Sequence, residues 1–99
     1  MNISRTRENG ILTIALDGKM DITTAPDLEQ VVMKDLDGVT RLIMDFEKLT
    51  YISSAGLRVL LIAQKKMTGQ GGSMEVVHVN EMVMEVMTAM GFADIMTIE

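Results

Sequence analysis

The residues best suited to chemistry are Ser53-Ser54-Ala55-Gly56-Leu57, which put two hydroxyls where one apolar run ends and another begins. Arg41-Leu42-Ile43-Met44-Asp45-Phe46 reads as a strand, Glu47 to Ile52 as a short connector, and Val59 to Ala63 as the apolar middle of a helix opening near Ser54. A helix start presents unpaired backbone N–H groups and a partial positive charge. A phosphate, with about −1.5 to −2 charges near neutral pH, is well accommodated on Ser54 at such a place. The plainer role for Ser53 is a helix N-cap, since serine is common there without any regulation. Gly56 asks for more, because glycine within a first helical turn costs about 1 kcal/mol relative to alanine. Two reasons are open: close approach of a partner's backbone over the low surface of Ser54, Ala55 and Gly56, or a need for glycine inside the domain.

Other candidates carry less. His78 is the single histidine; it lies in a strand-like run without a serine or acid at triad spacing, and reads as a structural or surface imidazole. The order of elements allows Asp17, Asp21 and Asp45 to converge at one end of a sheet, but their spacing is not that of a calcium loop, and no metal site is expected. Gly69-Gln70-Gly71-Gly72 lacks the lysine and hydroxyl residue of a phosphate-binding loop and follows a helix, so it reads as a connector. Asp21 has two readings, a turn or capping carboxylate, or part of the surface around Ser54. With neither a base beside Ser54 nor an evident oxyanion arrangement, an enzyme is not expected, nor is a cofactor.

The elements that must position these residues follow from periodicity. Ile3 to Arg7 and Ile11 to Leu16 flank Glu8-Asn9-Gly10, an Asn-Gly hairpin signal. After the polar stretch Lys19 to Thr24, Pro26 suits a first helical turn that either Thr23 or Thr24 is placed to cap. Leu28, Val31, Val32 and Leu36 then recur at helical spacing up to Gly38. A second helix is predicted over Ser54–Met67 and a strand over Met74–Val79. A third helix follows over Glu81–Met90, capped by Asn80 and ended by Gly91, and a short edge strand over Ile95–Ile98. The fold class is α/β: a mixed sheet with an N-terminal antiparallel hairpin, parallel βα crossover units, and helices packed on the sheet.

With 99 residues and 47% hydrophobic content, the chain fits one domain spanning residues 1–99. Nine basic and fourteen acidic residues give a net charge of −5 with no basic run, which argues against direct nucleic-acid binding. The absence of cysteine excludes disulfides and thiolate chemistry. No apolar stretch approaches the roughly 20 residues of a membrane span, and Met1 to Glu8 do not resemble a signal peptide, so a cytoplasmic protein without membrane insertion is expected. Eleven methionines accompany only two phenylalanines and one tyrosine; those between Met82 and Met90 fall at helical spacing and read as a core stripe.

Gly18-x-x-Asp21, followed by Asp45-Phe46-x-x-Leu49-x-Tyr51-Ile52-Ser53-Ser54-Ala55-Gly56-Leu57, resembles the STAS domains, named for sulphate transporters and anti-sigma factor antagonists. The resemblance runs along the whole chain and is to a free-standing antagonist. In such antagonists the phosphorylated serine lies two residues before the motif glycine, which carries over onto Ser54. The resemblance implies a binding module with a partner surface at Asp21, Ser53, Ser54, Ala55, Gly56 and Leu57. Dephosphorylated, it binds an anti-sigma factor that is also a serine kinase and so frees a sigma factor; a PP2C-type phosphatase restores it. The alternative for this chain is a scaffold role for the same fold, as a subunit of a larger sensory complex or an accessory subunit of a membrane transport system. Ser53 stands where the family commonly has aspartate, which leaves it as a second acceptor, a cap replacing the carboxylate, or the mark of a branch with a different partner.

Overall fold

Asn9 and Gly10 both take left-handed backbone angles, φ 52° and 80°, which is what a two-residue hairpin turn requires. In the computed structural model, which describes residues 1–99, this turn folds β1 (Asn2–Glu8) antiparallel onto β2 (Ile11–Met20). The remaining elements are α1 (Ala25–Asp35), β3 (Arg41–Ile52), α2 (Ser54–Gly69), β4 (Ser73–Val77) and α3 (Glu81–Ala89), then a 3-10 turn over Phe92–Asp94 and β5 (Thr97–Ile98). The five strands lie in the order β1-β2-β3-β4-β5, with every pairing after the hairpin parallel. This is the mixed α/β architecture expected from the sequence.

Strand alternation assigns the two faces. Leu12, Ile14 and Leu16 of β2, Leu42, Met44 and Phe46 of β3, and Met74 and Val76 of β4 are buried beneath the helices. Their neighbours Thr13, Ala15, Ile43, Asp45 and Glu75 face the other way and are only half-buried. From the helices come Leu28 and Val32 of α1, Val59, Leu60, Ala63 and Met67 of α2, and Val83 and Met87 of α3. Apart from Ala63, each such side chain contributes about 1.5–3 kcal/mol by leaving water. No polar or charged residue is buried.

Several boundaries differ from the sequence reading. Strand β2 continues past Leu16 to Met20, and β3 includes the presumed connector Glu47 to Ile52. The cause is irregular register. Ala15 pairs with Asp45 but Asp17 with Lys48, and Gly18 pairs with Leu49 but Lys19 with Tyr51, so β3 carries an extra residue twice. These bulges space the buried side chains Phe46, Leu49 and Ile52 by three, which hides the strand from a period-two pattern. Strand β4 ends at Val77 rather than Val79, and His78 sits beyond it with a left-handed φ of 59°. Helix α2 runs on to Gly69, α3 stops at Ala89, and the edge strand shrinks to Thr97–Ile98. Asn80 caps α3 as expected, its side chain accepting from the Val83 N–H at 2.8 Å, and it also donates to the Leu49 carbonyl at 2.8 Å.

Candidate functional site

Strands β2 and β3 finish at one end of the sheet, with Met20 opposite Ile52. The Ser53 N–H donates to the Met20 carbonyl at 2.8 Å and closes the ladder there. Both chains then turn away, β2 through Asp21 into α1 and β3 through Ser53 into α2. This brings Asp21 and the Ser53–Leu57 segment to the same end of the sheet.

Asp21 acts as the pin of its turn. Its Oδ1 accepts from the Thr23 N–H at 2.9 Å, the Thr23 hydroxyl at 2.6 Å and the Thr24 N–H at 3.2 Å. The Thr24 hydroxyl accepts from the Asp21 N–H and donates to the Lys19 carbonyl, both at 2.8 Å. Hydrogen bonding from the Thr23 side chain, then from its N–H, holds the Asp21 carboxyl below the usual aspartate range. Neither threonine caps α1 by its side chain. Thr24 occupies the cap position, but its hydroxyl is taken up by this turn.

Ser53 occupies the N-cap position of α2 with an extended backbone, φ −99° and ψ 174°, yet its side chain makes no capping bond. The Oγ is shielded from solvent and has no hydrogen-bond partner. Ser54, the first residue of the helix, is exposed, and no acidic side chain lies in that first turn. Ala55 is half-buried, while Gly56 and Leu57 are buried. A β-carbon on Gly56 would stand 2.9 Å from Ile52 Cγ1 and closer still to Met20 Cγ. Of the two reasons open for this glycine, the structure shows the internal one: it lets α2 close down on the ends of β2 and β3. The presumed bare surface Ser54-Ala55-Gly56 therefore reduces to Ser54 and the outer part of Ala55.

The accessible surface extends instead toward α1. A groove of about 340 Å³ is lined by Ile22, Ala25, Pro26, Glu29, Gln30, Ala55, Arg58 and Val59. Ile22 projects from the Asp21 turn with 77% of its surface exposed. Arg58 bridges the helices, its Nη1 donating to Glu29 Oε1 at 2.9 Å. Sequence reading missed Ile22, Glu29 and Arg58. The one available signal was an isoleucine within the polar stretch Lys19 to Thr24, while Arg58 and Glu29 gain meaning only once α1 and α2 are side by side.

The three aspartates do not converge as a set. Asp17 and Asp45 line a depression on the open sheet face together with Asn2, Ser4 and Glu47, and Asp21 lies outside it. Asp45 Oδ1 instead accepts from the Glu47 N–H at 3.0 Å and pairs with His78 Nδ1 at 2.9 Å. Asp45, Glu47 and His78 have ligand atoms within 4.8 Å of one another, and are the residues whose chemistry suits a cation. Burial pushes Asp45 up, but hydrogen bonds from His78 and the Glu47 N–H outweigh it and leave the carboxyl low. The same bond to Asp45 raises His78.

The sequence model of the STAS domain matches residues 2–99. The chain belongs to the STAS family. Among its relatives is BtrV of Bordetella bronchiseptica, by name a candidate anti-sigma factor antagonist; it is 32% identical over 96 residues, covering 96% of this chain and 83% of BtrV. A Thermotoga maritima protein described in the same terms has a crystal structure with a TM-score of 0.90 at 18% identity, over 97% of this chain and 84% of that one. The Bacillus protein SpoIIAA in its phosphorylated form gives a TM-score of 0.70 at 16% identity, over 99% of this STAS domain and 91% of SpoIIAA. These structures share the fold. No helix of this STAS domain is long and apolar enough to cross a membrane.

Proposed function

We propose that this STAS domain is a cytoplasmic anti-sigma factor antagonist, a binding module without catalytic residues of its own, gated by phosphorylation of Ser54. Unmodified, it docks the end of the sheet carrying Ser54 and the α1–α2 groove on an anti-sigma factor that is also a serine kinase, and a sigma factor is released. The kinase transfers the γ-phosphoryl group of ATP to Ser54: the Oγ–P bond forms, the bond to the β-phosphate oxygen breaks, ADP leaves, and the hydroxyl proton passes to the kinase or to water. A PP2C-type phosphatase hydrolyses the ester and restores binding. The observation that carries this reading is the exposed Ser54 hydroxyl on the first turn of α2, beside a groove with an apolar lining. Relatives named as anti-sigma factor antagonists support the partner class, and the phosphorylated form of SpoIIAA supports the gate.

The concealed Ser53 Oγ favours Ser54 as the acceptor, since a kinase needs the hydroxyl in the open. Phosphopeptide mapping after incubation with the cognate kinase and ATP tests this. Phosphate incorporation is expected to vanish in Ser54→Ala and persist in Ser53→Ala; the reverse pattern overturns the assignment.

A further inference from the structure

Arg58 lies one helical turn after Ser54, at the i+4 position, where β-carbons on a helix surface stand about 5–6 Å apart. At about 100° per residue, Arg58 falls roughly 40° round the helix from Ser54, with Ala55 and Val59 further on toward α1. It therefore stands between the candidate phosphate and the groove. In the unmodified chain its guanidinium reaches across to Glu29, at 2.9 Å, with the two side chains 68% and 38% exposed.

We infer that Arg58 receives the phosphate on Ser54 and releases Glu29, so that one modified hydroxyl also breaks the ion pair bridging α1 and α2. This rests on Ser54 being the acceptor. The competition favours the phosphate on charge, about −1.5 to −2 against the single charge of Glu29. It also favours it on geometry, because a guanidinium can grip two phosphate oxygens as a fork, whereas Arg58 meets Glu29 through one hydrogen bond. Exposed pairs of that kind are weak. Ser54 and Arg58 share a rigid helix, so the exchange requires only a side-chain rotation. Its consequence reaches beyond Ser54. Glu29 is left as an uncompensated carboxylate on the α1 wall, next to Ala25, Pro26 and Val59. A partner seated in the groove then meets a phosphate at one end and a freed negative charge along the side.

The test uses the full chain with phosphoserine installed at position 54 by genetic-code expansion, so it needs no kinase. Kinase mapping can fail while this succeeds, or the reverse, and the two readings are separated. In a phosphorus NMR titration the phosphate beside Arg58 is expected to lose its second proton at a proton concentration roughly threefold higher than in Arg58→Gln. Glu29→Gln, which frees the guanidinium, should match or exceed the unsubstituted protein. The Arg58 Nε–H resonance should move on phosphorylation. A merely structural role for Arg58 leaves the phosphate titration unchanged, so coincident curves for the unsubstituted protein and Arg58→Gln overturn the inference. An Arg58 resonance indifferent to the phosphate does the same. Circular dichroism of Arg58→Gln and Arg58→Lys confirms the fold, and Arg58→Lys should give an intermediate titration, since lysine keeps the charge without the fork.

Discussion

Helices α1 and α2 leave the same end of the sheet side by side, and their starts are built in opposite ways. Before α1, the Asp21 carboxylate and the Thr23 and Thr24 hydroxyls satisfy one another and the local backbone, and the loop is tied to the Lys19 carbonyl. Before α2, Ser53 holds the cap position without a side-chain bond, and its hydroxyl is sealed off beside an exposed Ser54. The first start spends its polar groups on holding a loop still. The second leaves the Ser54 hydroxyl exposed, and takes its rigidity from Gly56 and Leu57 packed beneath it. An acidic and a serine side chain that look equally functional in sequence thus separate into a carboxylate that fastens its turn and an exposed hydroxyl, the proposed gate.

The largest effect should come from the packing under the start of α2. Gly56→Leu forces a side chain into Met20 and Ile52, and a cost of about 2–3 kcal/mol is expected in urea unfolding of the isolated domain. Gly69, with nothing near its missing β-carbon, is the matched control: Gly69→Ala should gain about 0.5 kcal/mol. A stable Gly56→Leu domain that loses only partner binding would restore the rival idea that this glycine admits a partner.

Next in size is the fastener. Asp21→Ala removes every bond to Oδ1 and should lower the unfolding midpoint, while Asp21→Asn, which keeps an acceptor oxygen, should lower it less. The folded carboxyl titrates below its usual range, so its contribution is present above the ordinary aspartate value and is lost as pH falls through the lower folded value. The acid limb of a stability-against-pH curve should therefore flatten in Asp21→Asn. An Asp21→Ala midpoint equal to that of the unsubstituted protein would mean that the turn is held by other groups.

Ser53→Ala should move stability the other way. A capping serine costs about 0.5–2 kcal/mol when removed, but this hydroxyl caps nothing and is concealed without a partner. Leaving such a group unsatisfied costs about 1–3 kcal/mol, part of which alanine recovers, and a gain of up to about 1 kcal/mol is expected. Ser54→Ala, on the exposed side, should stay within about 0.5 kcal/mol of the parent. The sign of the Ser53→Ala change, read by urea unfolding, decides whether the two helix starts differ as described.

Much of this architecture is legible in the sequence, and the illegible part has physical causes. The hairpin at Asn9-Gly10, the Asn80 cap and the strand Arg41 to Phe46 rest on local chemistry, and local chemistry is what a sequence displays. The second half of β3 does not, because two bulges replace the alternation by a spacing of three at Phe46, Leu49 and Ile52. Ser54 stands out because it sits at an element boundary, whereas Arg58 and Glu29 matter only through a pairing across 29 positions. The role of Gly56 needed the side chains of Met20 and Ile52, at the ends of two different strands.

The smallest expected effect lies on the face of the sheet away from both helix starts, and it sharpens the contrast by being a fastener that titrates. His78 is set beyond β4 in a left-handed conformation and meets Asp45 at 2.9 Å, with Glu47 and Glu99 adding to the negative field around the ring. The folded imidazole titrates above the ordinary histidine value of 6.5. Its stabilising contribution is therefore fully present below pH 6.5 and is lost as pH rises through the higher folded value. Asp45 is shifted the opposite way, so its share is present above the ordinary aspartate range and lost as pH falls through its lower folded value. The pair is at full strength between these limits, from about pH 4 to about pH 6.5. His78→Gln should remove the decline in unfolding midpoint above that window while leaving the proposed phosphorylation of Ser54 unchanged, because the bond lies on the opposite face from α2. An unaltered pH profile would mean that solvent screens this exposed pair, and a change in phosphorylation would mean that the open face and the Ser54 segment are coupled.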